Sequence, residues 1–518
     1  MQSFLTHHRD EIKGVLSGFD RIRFRGTLRW LATSHGLESF LVKNRILFKN
    51  FVPWAQALTD RVKEATAQLT KSLGRPIQYL QNSRISKEDV AGTIAETEGV
   101  AEGLICVLTA VEPCRTFFVR RNRERRQIEI RSQSGKCLHQ YFYVKHRELG
   151  TVSVRLQTWL PFTVHVCLNG REWLARQLAR QGLGFEQRDN CFVDVADGDR
   201  AQELLEGQLQ TDWCGLLDGL LREVHPVHRS LFGEETLDYY WSAEQTEWAT
   251  DVLFRSRESL ARLYPRLVRH AITTFGSDDV LRFLGRRAQA WRFHGSEIRS
   301  TLKTRAEGVR VKHELNGNSV KMYDKQQTVL RVETTINDPR DMRVYRPKEG
   351  DAQGSKAWRP LRKGVADLFR RAELSQKCNE RYLAALGSVD VPTSLEESLK
   401  PLCAPTTWRG RRVRGLQPFQ SDDSALLASI ARGEFALHGF RNRDLCSLLF
   451  GTEQVSEREA RRRSSKITRL LRLLRAHGIA RKISNTHRYQ LTENGRSVVT
   501  ALLVAQQASV ERLTQLAV

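Results

Sequence analysis

The chain has 518 residues, nine cysteines and a formal net charge of +24, with a pI near 10.0. This length exceeds what one hydrophobic core supports, and a hydrophobic fraction of 40% excludes an intrinsically disordered chain. The strong positive charge favours nucleic acid over small neutral ligands as the partner class.

The cysteines are scattered and form no C-x-x-C pair, which argues against a zinc ribbon or a disulfide framework. We expect reduced thiols in a cytoplasmic protein. No apolar run reaches about 18 residues, so no membrane association is expected. The motifs of P-loop NTPases, dehydrogenases, zincins and serine hydrolases do not occur, so these four enzyme classes lack support.

Hydrophobic periodicity predicts an α+β multidomain protein with five segments. In chain order these are a mainly helical N-terminal region (1–100), an antiparallel β-rich domain (101–210), a helical region containing a β unit at 309–344 (211–403), a basic linker (404–422) and a winged helix-turn-helix domain (423–518).

The β-rich segment should form an antiparallel meander. Six short β-type runs lie between residues 103 and 168, with turn residues between them. The helix that begins at Gly170 then has Leu174 on its apolar face and Arg171 on its polar face.

Asp20 is a candidate catalytic residue because it falls in phase with the apolar residues Ile22 and Phe24 of a strand-like run. A carboxylate on the apolar side of a strand is costly unless it is paired or binds a metal. This placement resembles the first carboxylate of RNase H-type nucleases and transposases, whose other carboxylates come from far along the chain. The candidates for these further carboxylates are Asp194, Asp324 and Glu333. The alternative is that Asp20 pairs with a nearby arginine.

A second candidate site lies on two predicted strands, Ser319–Lys325 and Leu330–Asn337, which a short loop joins. The short loop makes them antiparallel neighbours, and alternate side chains share a face. The polar residues expected on one face are Lys321, Tyr323, Lys325, Arg331 and Glu333.

The letters V-K-M-Y-D-K at 320–325 and L-R-V-E at 330–333 resemble a strand pair of rolling-circle replication initiators from plasmids and filamentous phages. The resemblance implies that Tyr323 attacks a phosphodiester and that Glu333 acts as a base or metal ligand. The His-hydrophobic-His metal motif of many such initiators does not occur here. Three interpretations stay open: cross-strand ion pairs, a phosphate-contacting surface, or a catalytic face. No cofactor is established, and Mg²⁺ or Mn²⁺ is the candidate.

The linker is rich in arginine and has no periodicity. It either follows a phosphate backbone or only maintains solubility. Its candidate contact residues are Arg411, Arg412 and Arg414.

The C-terminal segment has the pattern of two helices, a two-strand hairpin and a further helix. A short apolar helix at Asp444–Phe450 precedes a second helix, in which Ser456 and Glu459 predict a capping box. The segment 423–518 resembles the winged-helix domains of MarR-type bacterial regulators, which implies a recognition helix that enters a groove of DNA.

The charge of this segment indicates contact with nucleic acid, because Glu457 and Glu459 are the only acids between Ser456 and Lys482. Solvent-exposed helix faces usually carry both acidic and basic side chains. A solvated face or a protein-binding module is the alternative. The predicted nucleic-acid contacts are Arg462, Ser465, Lys466, Arg469, Arg472, Arg481, Lys482, His487 and Arg488.

The leading hypothesis is a nucleic-acid-binding protein of a mobile or replicating element that acts in DNA processing or replication initiation. DNA is the favoured partner and RNA the second. The alternative is a non-enzymatic winged-helix transcriptional regulator or a ribonucleoprotein component. The whole chain also resembles a family of bacterial proteins, in the phrases F-D-R-I-R-F-R-G-T at 19–27, L-Q-T-W-L-P-F at 156–162 and L-N-G-R-E-W-L at 168–174. This resemblance implies no activity. The expected location is the bacterial cytoplasm, with association to the nucleoid when the protein is bound.

Overall fold

The computed structural model describes the chain except residues 83, 125, 234, 286–297, 306–307, 341, 349–353, 388–394, 433–434, 436–438, 452, 454, 484–485 and 508–518. The chain divides into two compact units. Unit 1 contains residues 1, 8–265 and 301–383, and unit 2 contains residues 2–7, 266–300 and 384–518. Among the described residues, no helix is both long and apolar enough to cross a membrane.

The protein is an α+β protein whose strands up to residue 360 are as follows. They are β1 (Ile12–Thr27), β2 (Ile77–Tyr79), β3 (Gly103–Asn122), β4 (Gln127–His146), β5 (Gly150–Gln157), β6 (Val164–Asn169), β7 (Phe185–Arg188), β8 (Cys191–Val195), β9 (Tyr240–Phe254), β10 (Ile298–Arg305), β11 (Gly308–Leu315), β12 (Asn318–Lys325), β13 (Val329–Ile336), β14 (Arg343–Arg346) and β15 (Ala357–Pro360).

The helices are listed in chain order. They are α1 (Gln2–His7), α2 (Ser34–Lys43), α3 (Phe51–Leu73), α4 (Lys87–Thr97), α5 (Gly170–Arg180), α6 (Gly198–Gly207), α7 (Trp213–Val224), α8 (Arg257–Thr273), α9 (Ser277–Phe283), α10 (Leu368–Leu386), α11 (Leu395–Cys403), α12 (Ser421–Ile430), α13 (Asn442–Phe450), α14 (Glu457–Ala476) and α15 (Glu493–Gln507).

One large mixed sheet organises unit 1. Its 11 described strands run in the order β10-β11-β12-β13-β9-β1-β6-β5-β4-β3-β2. Strand β2 pairs with β3 in parallel. At the centre of the sheet, the pairs β1–β9, β9–β13 and β12–β13 are antiparallel. Strands β7 and β8 form a separate hairpin, and so do β14 and β15. The centre of the sheet therefore brings residues from positions 20, 250 and 330 side by side.

Helices cover both faces of this sheet. On one face, which we call the α10 face, Phe24 of β1 and Trp248 of β9 share a core with Leu221 of α7 and Ala372 of α10. On the other, which we call the α5 face, helices α5 and α6 pack against a core that includes Leu16. Apolar side chains of the central strands, such as Leu16, Phe24 and Trp248, are therefore shielded from water on either face.

The predicted meander between residues 103 and 168 is confirmed, but with four strands instead of six. The segments interpreted as turns continue the ladder between β3 and β4, where Pro113 lies opposite Lys136 and Thr116 opposite Gln133. Proline and small polar residues are typical of turns, yet the long register of two paired strands keeps them extended here.

Two other local predictions were wrong. Strand β9 lies in the region 211–403, which was predicted to be helical outside the β unit at 309–344. The basic linker contains a short hairpin, β16 (Thr406–Trp408) and β17 (Arg411–Val413). In β9 the polar residues that a helix would expose are instead buried by ion pairing.

Unit 2 contains the strands β18 (Phe440–Arg441), β19 (Ala480–Lys482) and β20 (Arg488–Leu491), in the sheet order β18-β20-β19. Leu445 of α13 shares a core with Leu471 and Leu474 of α14 and Val499 of α15. The hydroxyl of Ser456 accepts a hydrogen bond from the Glu459 amide at 3.4 Å, so the Ser456 half of the predicted capping box is present.

Candidate functional site

Asp20 occupies a β-bulge in the centre of the sheet. On strand β1, Phe19 pairs with Trp248 and Arg21 pairs with Glu247, so Asp20 is the extra residue between two consecutive pairs. A bulge changes the direction in which the following side chains point. Asp20 thereby faces the α5 side of the sheet, where it lies 5% exposed.

The bulge corrects one detail of the sequence prediction. Asp20 is buried, as predicted, but it does not share a face with Ile22, which pairs with Thr246 and belongs to the core of the α10 face. Simple alternation fails because the extra residue reverses the phase of the strand. Asp20 therefore meets polar partners and not the apolar core.

Arg331 of β13 joins Asp20 to a second buried carboxylate, Asp251 of β9. Its Nη1 donates to Asp20 Oδ1 at 2.7 Å, and its Nε and Nη2 donate to Asp251 Oδ1 and Oδ2 at 2.6 and 2.8 Å. Nη2 also donates to the Asn190 carbonyl at 2.8 Å. Arg331 is 0% exposed. The geometry thus assigns it to an internal ion network instead of the predicted phosphate-contacting surface.

Arg171 is a further buried cation of this network. Its Nη2 lies 2.9 Å from Asp251 Oδ2, and the side chain is 0% exposed. The prediction that it lies on a polar helix face was wrong. Helix α5 begins directly against β1, since a Cβ on Gly170 would lie 1.9 Å from the Phe19 carbonyl oxygen. This close approach turns Arg171 toward the sheet.

Three carboxylates converge beside this network. Asp20, Glu247 and Glu333 each offer one oxygen, and these oxygens all lie within 4.8 Å of one another. They come from three adjacent strands, β1, β9 and β13. We call this group the carboxylate centre.

Lys321 and Tyr323 of β12 hold Glu333 in place. Lys321 Nζ donates to Glu333 Oε1 at 2.6 Å, and the Tyr323 hydroxyl donates to Glu333 Oε2 at 2.5 Å. Lys321 Nζ also lies 3.6 Å from Glu247 Oε1. In the ladder, Lys321 is opposite Glu333 and Tyr323 is opposite Arg331. The predicted strand pair and its shared polar face are therefore confirmed.

The carboxyl groups of the site differ in their affinity for protons. Burial opposes ionisation of Glu333, but the Lys321 ammonium and the Tyr323 hydroxyl outweigh it and hold its pKa at about 2. Burial raises the pKa of Asp20 and of Glu247, and the negative charge of Glu333 raises both further. Two carboxyls of the centre thus retain protons to a higher pH than usual, beside one that ionises readily.

Tyr323 is a poor phenolate in this environment. Burial and the neighbouring Glu333 charge raise its pKa well above the ordinary value. Since its hydroxyl donates to Glu333, the arrangement orients the carboxylate and keeps the tyrosine protonated. Lys325 lies farther out, with its ammonium 5.7 Å from the centre of the Tyr323 ring.

Two of the proposed partners of Asp20 lie elsewhere. Asp194 pairs with Lys13 near the surface. Asp324 occupies the position between Tyr323 and Lys325 and so points to the opposite face of β12, where burial raises its pKa. The sequence prediction missed Glu247 and Asp251. The β-branched and aromatic residues between Trp241 and Phe254 were the signal that marks β9 as a strand.

A second group of predicted residues lies in unit 2. Ser465, Arg469 and Arg472 are exposed on α14, and Arg462 and Lys466 are also exposed although they approach Glu459 at 3.4 Å and Asp422 at 3.1 Å. Arg481, Lys482 and His487 are exposed near the β19–β20 hairpin. We call these eight residues the basic surface.

The remaining predicted contacts of unit 2 differ in exposure. Arg411 and Arg412 are exposed on β17. Arg414 is also exposed, but it forms a two-point ion pair with the buried Asp423, at 2.7 and 2.8 Å. Arg488 is half-buried, and its Nη1 donates to the Gly439 carbonyl at 3.3 Å. Arg414 and Arg488 therefore stabilise the unit itself.

No family model matches the chain, and no curated protein matches it. A match among solved structures is the crystal structure of the di-domain ARO/CYC BexL from the BE-7585A biosynthetic pathway. It has 9% sequence identity, covers 55% of this chain and 98% of that chain, and has a TM-score of 0.15. A TM-score this low does not indicate a shared fold or function.

Proposed function

We propose that the protein binds nucleic acid through the basic surface of unit 2 and that the carboxylate centre of unit 1 performs phosphodiester chemistry. The setting would be DNA processing or replication initiation in a mobile or replicating element. The observation that carries the enzymatic part is the convergence of Asp20, Glu247 and Glu333 from three strands. A protein that only binds nucleic acid has no need of three carboxyl groups placed close together in this way.

The binding part rests on the order and charge of the elements in unit 2. Helices α13 and α14, the β19–β20 hairpin and α15 follow one another as in a winged helix-turn-helix, and α14 would be the recognition helix. Exposed arginines along α14 would donate to base edges and phosphates. DNA is the favoured partner because this arrangement suits a major groove, with RNA as the second choice.

The donor set of the carboxylate centre suits a hard divalent cation such as Mg²⁺ or Mn²⁺, which prefers carboxylate oxygens. A cation bound by Asp20, Glu247 and Glu333 would polarise a phosphate and lower the pKa of a bound water. Lys321, which bonds Glu333 and approaches Glu247, would neutralise excess negative charge and orient both carboxylates.

The metal-carboxylate route is favoured over attack by Tyr323. The raised pKa of Tyr323 and its hydrogen bond to Glu333 both disfavour the phenolate that attack requires. In the proposal Tyr323 is a positioning residue. A Tyr323→Phe protein would then keep most activity, whereas Glu333→Gln and Glu247→Gln would lose it.

The experiment is a nicking assay on supercoiled DNA and on single-stranded DNA and RNA, with Mg²⁺ or Mn²⁺. Wild-type protein should cleave at least one substrate, and Glu247→Gln should not. Asp194→Asn is the matched control, because it removes a carboxylate charge outside the centre. A covalent protein–DNA adduct that is lost in Tyr323→Phe would instead support tyrosine attack. Absence of cleavage on all substrates, with binding intact, would favour the non-enzymatic regulator or ribonucleoprotein component.

A further inference from the structure

The hairpin of β14 and β15 in unit 1 carries an exposed aromatic pair. Tyr345 and Trp358 are cross-strand partners, with ring centroids 5.7 Å apart and ring planes inclined by 56°. Tyr345 is 59% exposed and Trp358 is 65% exposed. Aromatic rings this exposed contribute little to the core, whereas they offer flat apolar surfaces to a ligand.

The hairpin lies in a strongly basic stretch of the chain. Between Arg343 and Arg371 the sequence has nine lysines and arginines and three acids, Glu349, Asp351 and Asp367. Among the described residues of this stretch, Asp367 is the one acid. Its two carboxylate oxygens already accept from Arg370 at 2.7 Å and from the Arg362 amide at 3.1 Å. The stretch therefore carries a net charge of +6 by sequence, nine basic minus three acidic residues.

Two buried arginines add to this positive potential. Arg371 is 0% exposed, and none of its three guanidinium nitrogens has a hydrogen-bond partner among the described residues. Arg346, on the inner side of the hairpin, is 7% exposed. Burial lowers the pKa of Arg346, and the charges of Arg362, Arg370 and Arg359 lower it further. An anion at the outer surface of the hairpin, on the other side of β14 from Arg346, would be stabilised by this positive charge.

We propose that the β14–β15 hairpin binds single-stranded nucleic acid, with bases stacked on Tyr345 and Trp358 and phosphates bound by the exposed basic residues around them. Stacking on side-chain rings requires bases that are not already stacked in a duplex. Arg343, which is exposed on the same side of β14 as Tyr345, is the first candidate for a phosphate contact. This proposal rests on the nucleic-acid partner proposed above and assigns a strand preference to a surface distinct from the basic surface.

The test measures binding of the full chain to a labelled oligothymidylate and, separately, to a labelled DNA duplex. Tyr345→Ala and Trp358→Ala should each weaken oligothymidylate binding by roughly 5- to 150-fold, the effect of losing one stacked base. Trp358→Phe, which keeps a stacking ring, should retain most of the affinity. Trp30→Ala is the matched control, because Trp30 is 51% exposed elsewhere in the chain.

A charge variant separates stacking from phosphate contact. Arg343→Gln should reduce the slope of log K against log salt for the oligothymidylate by about 0.7. Duplex binding by the basic surface should stay unchanged in all hairpin variants. If Trp358→Ala binds the oligothymidylate as Trp30→Ala does, or if wild type binds the duplex and not the oligothymidylate, the hairpin proposal is overturned while the proposed function stands. Failure to bind either probe would overturn both.

Discussion

Lys321 and Glu333 face each other across β12 and β13, with Lys321 Nζ 2.6 Å from Glu333 Oε1. Glu333 is 2% exposed, so its charge is stabilised by this ammonium and by the Tyr323 hydroxyl and not by water. The pair links β12, which carries Lys321, to β13, which supplies Glu333 to the carboxylate centre.

Removal of Lys321 should therefore destabilise unit 1. Lys321→Met leaves the Glu333 charge buried with one partner fewer, and breaking a buried pair costs about 3–5 kcal/mol. The double variant Lys321→Met with Glu333→Gln should recover a large part of that loss, because the buried Glu333 charge that lost its ammonium partner is then removed as well. Thermal unfolding of the two single variants and the double variant measures the stability that each variant loses. Additive losses would show that the two side chains do not interact.

Replacing Gly170 with alanine, which adds only a Cβ, should destabilise the protein. A Cβ there would lie 1.9 Å from the Phe19 carbonyl oxygen, so Gly170→Ala must displace α5 from β1 and should cost about 1–3 kcal/mol. Gly219 is the control, since nothing lies within 4 Å of a Cβ at that position inside α7. Gly219→Ala should be neutral or stabilising by about 0.5–1 kcal/mol. Equal denaturation midpoints for the two variants would contradict the close approach of α5.

The elements that could be predicted from the sequence are those whose pattern is local. The pair β12–β13, with Lys321 and Tyr323 on one face, follows from alternation and a short loop. Helix α14 follows from its cap at Ser456 and its apolar spacing. Asp20 could be singled out because a carboxylate in an apolar strand needs a partner.

What could not be predicted depends on contacts far apart in the chain. Glu247 and Asp251 are four residues apart, a spacing that fits one face of a helix as well as one face of a strand. The burial of Asp251 becomes intelligible once Arg171 and Arg331 are known to pair with it, and the position of Glu247 once Lys321 is known to approach it. The bulge at Asp20 likewise arises from its pairing with β9, more than 200 residues away.

The basic surface gives a binding prediction. Replacing Arg462, Arg469 and Arg472 with Ala should abolish tight duplex binding while unfolding stays unchanged, since each lost base contact costs about 1–3 kcal/mol. Arg188, Arg200 and Arg262 are exposed residues of unit 1, and their triple Ala variant changes the net charge equally. Affinities measured at several salt concentrations separate the two variants. Equal losses in both would indicate a general effect of charge and not a recognition helix.

His225 gives a prediction for acid stability. Burial lowers its pKa to about 3 from an ordinary value of 6.5, and His228 adds to this. The folded state therefore prefers neutral His225, so its full contribution is present above pH 6.5 and is lost as the pH falls from 6.5 toward 3. The loss should approach about 1.4 kcal/mol per pH unit within that window.

His225→Gln should flatten this dependence, because glutamine does not titrate. His35→Gln is the control at an exposed position. Unfolding midpoints measured between pH 7 and pH 4 check the comparison. A His225→Gln protein that loses stability with acid as steeply as the His35→Gln protein would show that His225 is not the group responsible.

The most direct test of the carboxylate centre is calorimetric titration of the full chain with Mn²⁺, without nucleic acid. We predict binding that is lost in Glu247→Gln and in Asp20→Asn and retained in Asp194→Asn. Because the pKa values of Asp20 and Glu247 are raised, binding should release protons and strengthen as the pH increases. Mn²⁺ binding that is equal in Glu247→Gln, Asp20→Asn and Asp194→Asn, or absent in the wild type at every pH at which it is folded, would contradict the account and leave the centre as a structural ion network.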